Sequence, residues 1–417
     1  MSYKNNVLKN ISLKLFPFLI SLLFLFPILK ESLSSFLVIL LCLNTIIYKI
    51  ASKDYKLPEA KIYLLTLPFW IILISSFFSS DFQKSMVHIQ HALFFLIIPI
   101  FFSLIPKEFF TWKRLNSYLS NLKITCLLIA VVYIVSFFIY KPANEFFVVY
   151  NNVSGFRNYI YGDFKLFVIH PTYYTTILIL CTAHSFSLVL NQKKYFEIIY
   201  VLTFLFISFV LLTRLNMVLL MFLLIGMFLF MSKINLKTKT LISLLFVMIV
   251  SSIAYFTPGI KQRFVEMYNS FNSPPVDVNY DSTNIRKAIF DCSVSISKEN
   301  FMWGVGFENL QLKLNDCYGK NYDSSFHENI NYMTHNYFFY ILTSVGIIGL
   351  IFFLLYVANI LNIAFRSKLF LFNIFVINAF IVCLVEDYFY RHYGILYFNL
   401  VLMCFIQYSK NQYSKEV

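Results

Sequence analysis

The chain has 417 residues, 59% hydrophobic and 13% charged, where ordinary soluble domains run at roughly 45–50% and 25%. That balance excludes a water-soluble enzyme, and the 10 Gly and 11 Pro are too few for a collagen-like, linker-rich or disordered chain. The net charge of +14 invites a nucleic-acid reading, but at a mean hydropathy of +0.71 the placement of each charge matters more than the total.

Taken in chain order, apolar runs at 11–30, 34–50, 62–79, 89–105, 124–140, 173–190, 198–212, 217–231, 241–256, 337–365, 369–384 and 395–406 give about twelve predicted spans, set against the ~17–25 residues that cross a bilayer. The predicted fold is therefore all-α, a polytopic membrane bundle of about twelve helices with one large extracytoplasmic loop. Its parts are helices one to nine over 1–257, a loop domain over 258–334, and helices ten to twelve with a cytoplasmic tail over 335–417. Lys4, Lys9 and Lys14 precede the first run as in a signal peptide. No small-residue cleavage site follows and a second run comes at once, so the first reads as a retained helix.

With the N-terminus placed in the cytoplasm, alternate connections collect 20 of the 34 basic residues, Lys123 among them, against five acids. This positive-inside pattern accounts for the charge without nucleic acid and puts both termini inside. Two of the opposite connections are long, 141–170 and 258–334. In the second, Asn272-Ser273-Pro274-Pro275 is a turn signal and Asp281 a predicted N-cap. Ile285, Ile289, Cys292 and Ile296 then recur at helical spacing, which predicts a short amphipathic helix that carries Arg286 and lies on the membrane as a lid. Cys292 and Cys317 share this loop and are a disulfide candidate in an oxidising compartment. The remaining cysteines read as apolar packers. The 20% aromatic content reads as lipid-facing Phe with Tyr in interfacial belts.

The chain has no phosphate-binding glycine loop, no second His after His327-Glu328 and no Asp-x-Asp pair, so neither a metal nor a cofactor is expected. Three groups stand out instead. Arg214 sits at a very short external turn between apolar runs, where a cation is costly unless an anion pairs with it; the plainer reading is a snorkelling anchor. Arg286 alone reads as a solvated surface residue. His335 opens the tenth span, where an imidazole suits the removal of a proton from a hydroxyl, against the plainer reading of an interfacial ring satisfied by water. Asn336 follows it, and Gly346 and Gly349 imply close helix packing just below. His170 and Tyr173 begin the sixth span, where they either position a substrate or cap the helix. The charged run Glu386–His392 reads as surface ions that pair with little net effect. Charges midway through spans and repeated halves, the marks of a transporter, are not evident.

His335-Asn336 followed after nine residues by Gly346-x-x-Gly349 resembles the signature of bacterial O-antigen ligases and the related O-antigen polymerases. Thr213-Arg214 and Arg286 resemble the family's two arginines that hold a lipid diphosphate. Arg286-x3-Phe290 ends in Phe where the ligases have Leu. The segment 300–306 resembles the one before the family's Gly-x-Gly turn, here Gly304 and Gly306, without its usual Pro. The resemblance implies a glycosyltransferase of the bacterial inner membrane, with its active site facing the periplasm. Its donor would be an undecaprenyl-diphosphate-linked glycan, its acceptor lipid A–core or another glycan, its other contacts membrane lipids. His335 would act with Arg214 and Arg286, while His170, Asn336 and Tyr173 bind substrate. A repeat-unit polymerase using the same groups is the alternative, and a polysaccharide transporter or flippase is the reading from another class.

Overall fold

The computed structural model describes residues 2–150, 153–167, 169–256, 265, 268–270, 273–277, 280–328 and 330–416. The predicted turn residue Asn272 and the predicted start of the loop at 258 lie outside the described residues. Among the described residues the regular structure is helical apart from a two-residue antiparallel ladder that pairs Val149 with Ser154 and Tyr150 with Val153, and an isolated bridge between Asp277 and Ser324. In order the principal helices are α1 (Ser2–Leu23), α2 (Glu31–Ser52), α3 (Ala60–Phe77), α4 (Phe82–Leu104), α5 (Trp112–Tyr140), α6 (Pro171–Gln192) and α7 (Glu197–Val210). They continue as α8 (Arg214–Met231), α9 (Leu236–Phe256), α10 (Ser282–Glu299), α11 (Phe307–Asn321), α12 (Tyr337–Ser367), α13 (Phe370–Val382) and α14 (His392–Glu416). Among the described residues seven helices are long and apolar enough to cross a membrane: α2 to α6, α12, and Asn5–Leu23 within α1. Glu197–Val210, Leu215–Met231 and Phe370–Val382 are shorter apolar helices. Helix dominates because a segment in lipid must satisfy its own backbone. The first helix ends seven residues sooner than its apolar run, since Pro27, in the 3-10 turn Phe26–Ile28, cannot continue it.

Two compact units make up the chain: Met1–Phe26, Glu31–Tyr118 and Ser270–Val417 form one, Pro27–Lys30 and Leu119–Asn269 the other. In the first unit α14 is buried on every side from Ile395 to Ile406. Its sequence has no polar face there, which suits a helix enclosed by its neighbours. Phe375 meets both Tyr397 and Phe398, and Phe372 stacks on Phe405 at 5.1 Å. Part of the aromatic content is enclosed rather than outward-facing: Phe16, Phe95, Phe353, Phe375 and Phe398 are fully buried, as are Tyr337, Tyr340, Tyr356 and Tyr397, while Phe18, Phe36, Phe222 and Phe230 are exposed. Edge-to-face and offset pairs add attraction beyond the area that they bury.

The helix predicted from Asp281 forms as α10, with a capping box in which Asp281 accepts from Thr283 N and Asn284 N while Asn284 returns a bond to Asp281 N. Its Ile285, Ile289, Cys292 and Ile296 are buried, so the apolar face packs against α11 and α12. Cys292 and Cys317 are joined, S–S 2.08 Å, tying α10 to α11.

In the second unit, Lys123 is not in a connection but inside α5, a helix 12 residues longer at its start than the apolar run. Its ammonium meets the Glu197 carboxylate at 2.5 Å, and both side chains are almost wholly buried. Lys123 also lies 4.6 Å from the centre of the Tyr200 ring. Charge inside a helix of the bundle, which the sequence hides, is tolerated here because it is paired. Asn216 is buried as well; its amide donates to the Thr172 carbonyl and to the Thr175 and Thr176 hydroxyls, fastening the start of α8 to the start of α6.

Candidate active site

The site in the first unit is built at the start of α12. Asn336 caps this helix, its Oδ1 accepting from Phe338 N and Phe339 N at 3.0 and 3.2 Å. Its amide donates to the Leu384 carbonyl, so both ends of this side chain hold structure. One residue earlier His335 has φ 45°, a left-handed backbone rare outside Gly, which places its ring beside the turn after α13. Asp387 in that turn makes the arrangement possible. Its carboxylate accepts from Thr334 Oγ1 at 2.5 Å, His335 N at 2.8 Å and Asn336 N at 3.2 Å. Burial pushes this carboxyl above its usual range, against the opposing pull of His335 and of those hydrogen bonds.

Glu386, next to Asp387, joins the two predicted functional groups of this unit. Arg286 Nη2 stands 3.2 Å from Glu386 Oε1, and His335 Nδ1 stands 3.4 Å from Glu386 Oε2. The predicted surface pairing within 386–392 is therefore corrected: Glu386 turns to Arg286 and His335, while His392 Nε2 meets Ser34 Oγ at 2.7 Å. With Nδ1 turned to the carboxylate, the neutral ring carries its lone pair on Nε2. Side-chain exposures of 50% for Arg286, 31% for His335 and 15% for Glu386 leave the cation and the imidazole open to a ligand and the carboxylate mostly enclosed.

Below His335 the glycines do more than pack helices. Gly346 has φ 71° and ψ −169°, which breaks α12 about 14 Å past its start in a conformation that is essentially glycine's alone. The segment between α10 and α11 fills the break. Val305 N and Gly306 N donate to the carbonyls of Thr343 and Ser344 at 2.9 Å, and Ile347 N donates to the Phe301 carbonyl at 2.8 Å. Gly304 has φ 69°, and its missing side chain admits the Ser344 backbone. Irregular backbone inside this helix survives because the facing segment 301–306 satisfies it. Gly349 stands one turn further on, where a Cβ would crowd the Val345 side chain. Phe290, one turn after Arg286 on α10, stands edge-on to Phe339 at 5.3 Å.

The remaining predicted residues lie in the second unit. Arg214 is the first residue of α8, after Thr213. His170 caps α6 by accepting from Thr172 N at 3.3 Å, and Tyr173 is buried with its ring edge-on to His170. Arg157 was not singled out in the sequence. It donates to the Leu211 carbonyl in the turn before Arg214, and its guanidinium lies over the Tyr161 ring at 4.2 Å. Glu386 and Asp387 were also missed as site residues, and the available signal was two adjacent acids in a short external turn. Among the described residues no three His, Cys, Asp or Glu side chains stand close enough to hold a metal ion.

These features define a helical, multi-pass membrane protein in which one carboxylate brings a cation and an imidazole to the same helix end. Residues 199–354 match the family model described as O-antigen ligase, a stretch from α7 into α12 that takes in Arg214, Arg286, His335, Gly346 and Gly349. The O-antigen ligase and polymerase resemblance of the sequence is thus shown over that stretch. No curated protein matches the chain.

Proposed function

We propose that the protein is a membrane glycosyltransferase that moves a glycan from undecaprenyl diphosphate to an acceptor sugar hydroxyl at the periplasmic face, in the manner of an O-antigen ligase. The supporting observation is the Glu386 carboxylate, which sets a phosphate-binding residue type and a general-base residue type side by side at one helix end. The acceptor hydroxyl gives its proton to His335 Nε2, and its oxygen bonds to the anomeric carbon. The bond from that carbon to the diphosphate oxygen breaks on the opposite face, so configuration inverts, and the electron pair leaves with the diphosphate. Arg286 meets the growing charge, since a guanidinium fork stays ionised and binds phosphate through paired hydrogen bonds. Arg214 is a further phosphate-binding residue in this reading, on its sequence context and its place in the matched stretch. His170, Asn336 and Tyr173 keep the substrate-facing helix starts in position. The carrier supplies the leaving group, so the step needs neither nucleotide nor metal. About twelve crossings with both termini cytoplasmic complete the proposal.

A strain lacking the gene, complemented with Arg214→Ala, Arg286→Ala or His335→Ala, tests it. Each variant is expected at normal membrane levels with near-total loss of glycan transfer; wild-type glycan patterns from all three overturn the reading. The same deletion separates ligase from polymerase. Bare core with accumulated lipid-linked polymer marks a lost ligase, whereas core carrying a single repeat marks a lost polymerase.

A further inference from the structure

We propose that Glu386 is a latch between donor binding and base activation: it holds Arg286 while the donor site is empty and holds His335 without that competitor once a diphosphate takes the arginine. This rests on the glycosyltransferase reading above and adds to it a positioning residue with a defined order of events. Glu386 divides its oxygens, Oε1 toward Arg286 at 3.2 Å and Oε2 toward His335 Nδ1 at 3.4 Å. The carboxylate is the enclosed member of the trio and the guanidinium the exposed one, so the arginine is the partner that can leave. A half-exposed pair held through a single guanidinium nitrogen is weak, and a diphosphate offers the guanidinium several oxygens in the geometry of its fork.

The groups around the imidazole make Glu386 the one that responds. Asp387 receives the backbone N–H groups of His335 and Asn336 and the Thr334 hydroxyl, fixing the backbone rather than the ring. Arg286 approaches from α10, and the Tyr332 ring lies 6.3 Å from the imidazole. When the guanidinium turns to the diphosphate, it no longer draws on the charge of Glu386. Its hold on the Nδ1 proton strengthens, and Nε2 becomes the better base, aimed at the acceptor. No proton passes to Glu386. The base is thereby poised after the donor has arrived, which disfavours idle proton transfer at an empty site.

Full-length enzyme in membranes, assayed with lipid-linked donor, separates this latch from a merely structural contact. Glu386→Gln keeps the shape and removes the charge. Freed of its competitor, Arg286 is expected to lower the donor KM several-fold, while kcat falls roughly tenfold or more as the base loses its orienting charge. Glu386→Asp, charged but shorter, should lower KM while keeping more of kcat than the Gln variant. It also carries the test if the Gln variant does not accumulate. An unchanged donor KM in these variants, or a wild-type kcat in Glu386→Gln, overturns the latch. Arg286→Ala and His335→Ala are run beside them. If those two retain transfer, the glycosyltransferase reading itself fails; if they abolish transfer while the Glu386 variants behave as wild type, the latch alone fails.

Discussion

Asp387 shows how one side chain can decide where another points. Three donors converge on its carboxylate, two of them from backbone that the positive φ of His335 has turned inward. Asp387→Asn keeps the volume but turns an NH2 group toward at least one of those donors. We expect a loss of about 1–3 kcal/mol and a matching fall in the thermal midpoint of purified protein. The loss has a pH signature. Burial holds this carboxyl above its ordinary pKa, so between the unfolded and folded values the folded chain carries more protons than the unfolded one. The stability that this group contributes is then complete below the unfolded pKa and declines as pH rises through the folded one. The difference in midpoint between wild type and Asp387→Asn should narrow from the ordinary carboxylate range toward neutrality, and a difference that widens refutes the assignment.

At the scale of elements the break in α12 is the feature on which the site's support depends. A Cβ at Gly346 would meet the Met302 backbone, which cannot yield, in a conformation closed to other residues. Gly346→Ala should cost about 2–4 kcal/mol and reduce the amount of folded protein in the membrane. Gly226, inside α8, has nothing within 4 Å of such a Cβ, so Gly226→Ala should be neutral or stabilising by up to about 1 kcal/mol. Equal yields and midpoints for the two variants would refute this account. The same element shows what the sequence could convey. The spacing of Gly346 and Gly349 after His335 was legible, and so was α10, since an N-cap and an apolar period of 3.6 are local signals. The re-entrant pairing of 301–306 with 343–347 was not, because hydrogen bonds between backbones some 40 positions apart in the chain leave no mark on composition. Glu386 was misread for a related reason: its neighbours in sequence are charged, but its partners are Arg286, 100 residues away, and His335, 51 residues away.

For the whole molecule, charge bias is the global signal, and Lys123 shows where that signal misleads. Hydropathy ended the fifth predicted span at this lysine and placed it in water, whereas its pairing with Glu197 keeps it inside α5. A buried partner cancels the penalty on which hydropathy relies. The bias survives this correction, because the other basic residues of the same connection, Lys107, Lys113 and Arg114, precede or open α5. Topology can therefore be tested by accessibility. The free cysteines Cys126, Cys181, Cys383 and Cys404 are buried and Cys42 is partly so, and Cys292 and Cys317 occupy each other, giving a low background for labelling with a membrane-impermeant maleimide. Lys298→Cys, exposed at the end of α10, should react from outside in intact cells, whereas Lys194→Cys and Lys237→Cys should react only after the inner membrane is opened. Reaction of Lys194→Cys from outside, or protection of Lys298→Cys there, would put Arg286 and His335 on the cytoplasmic side. A carrier presented at the outer leaflet could not then reach them, however favourable the local geometry.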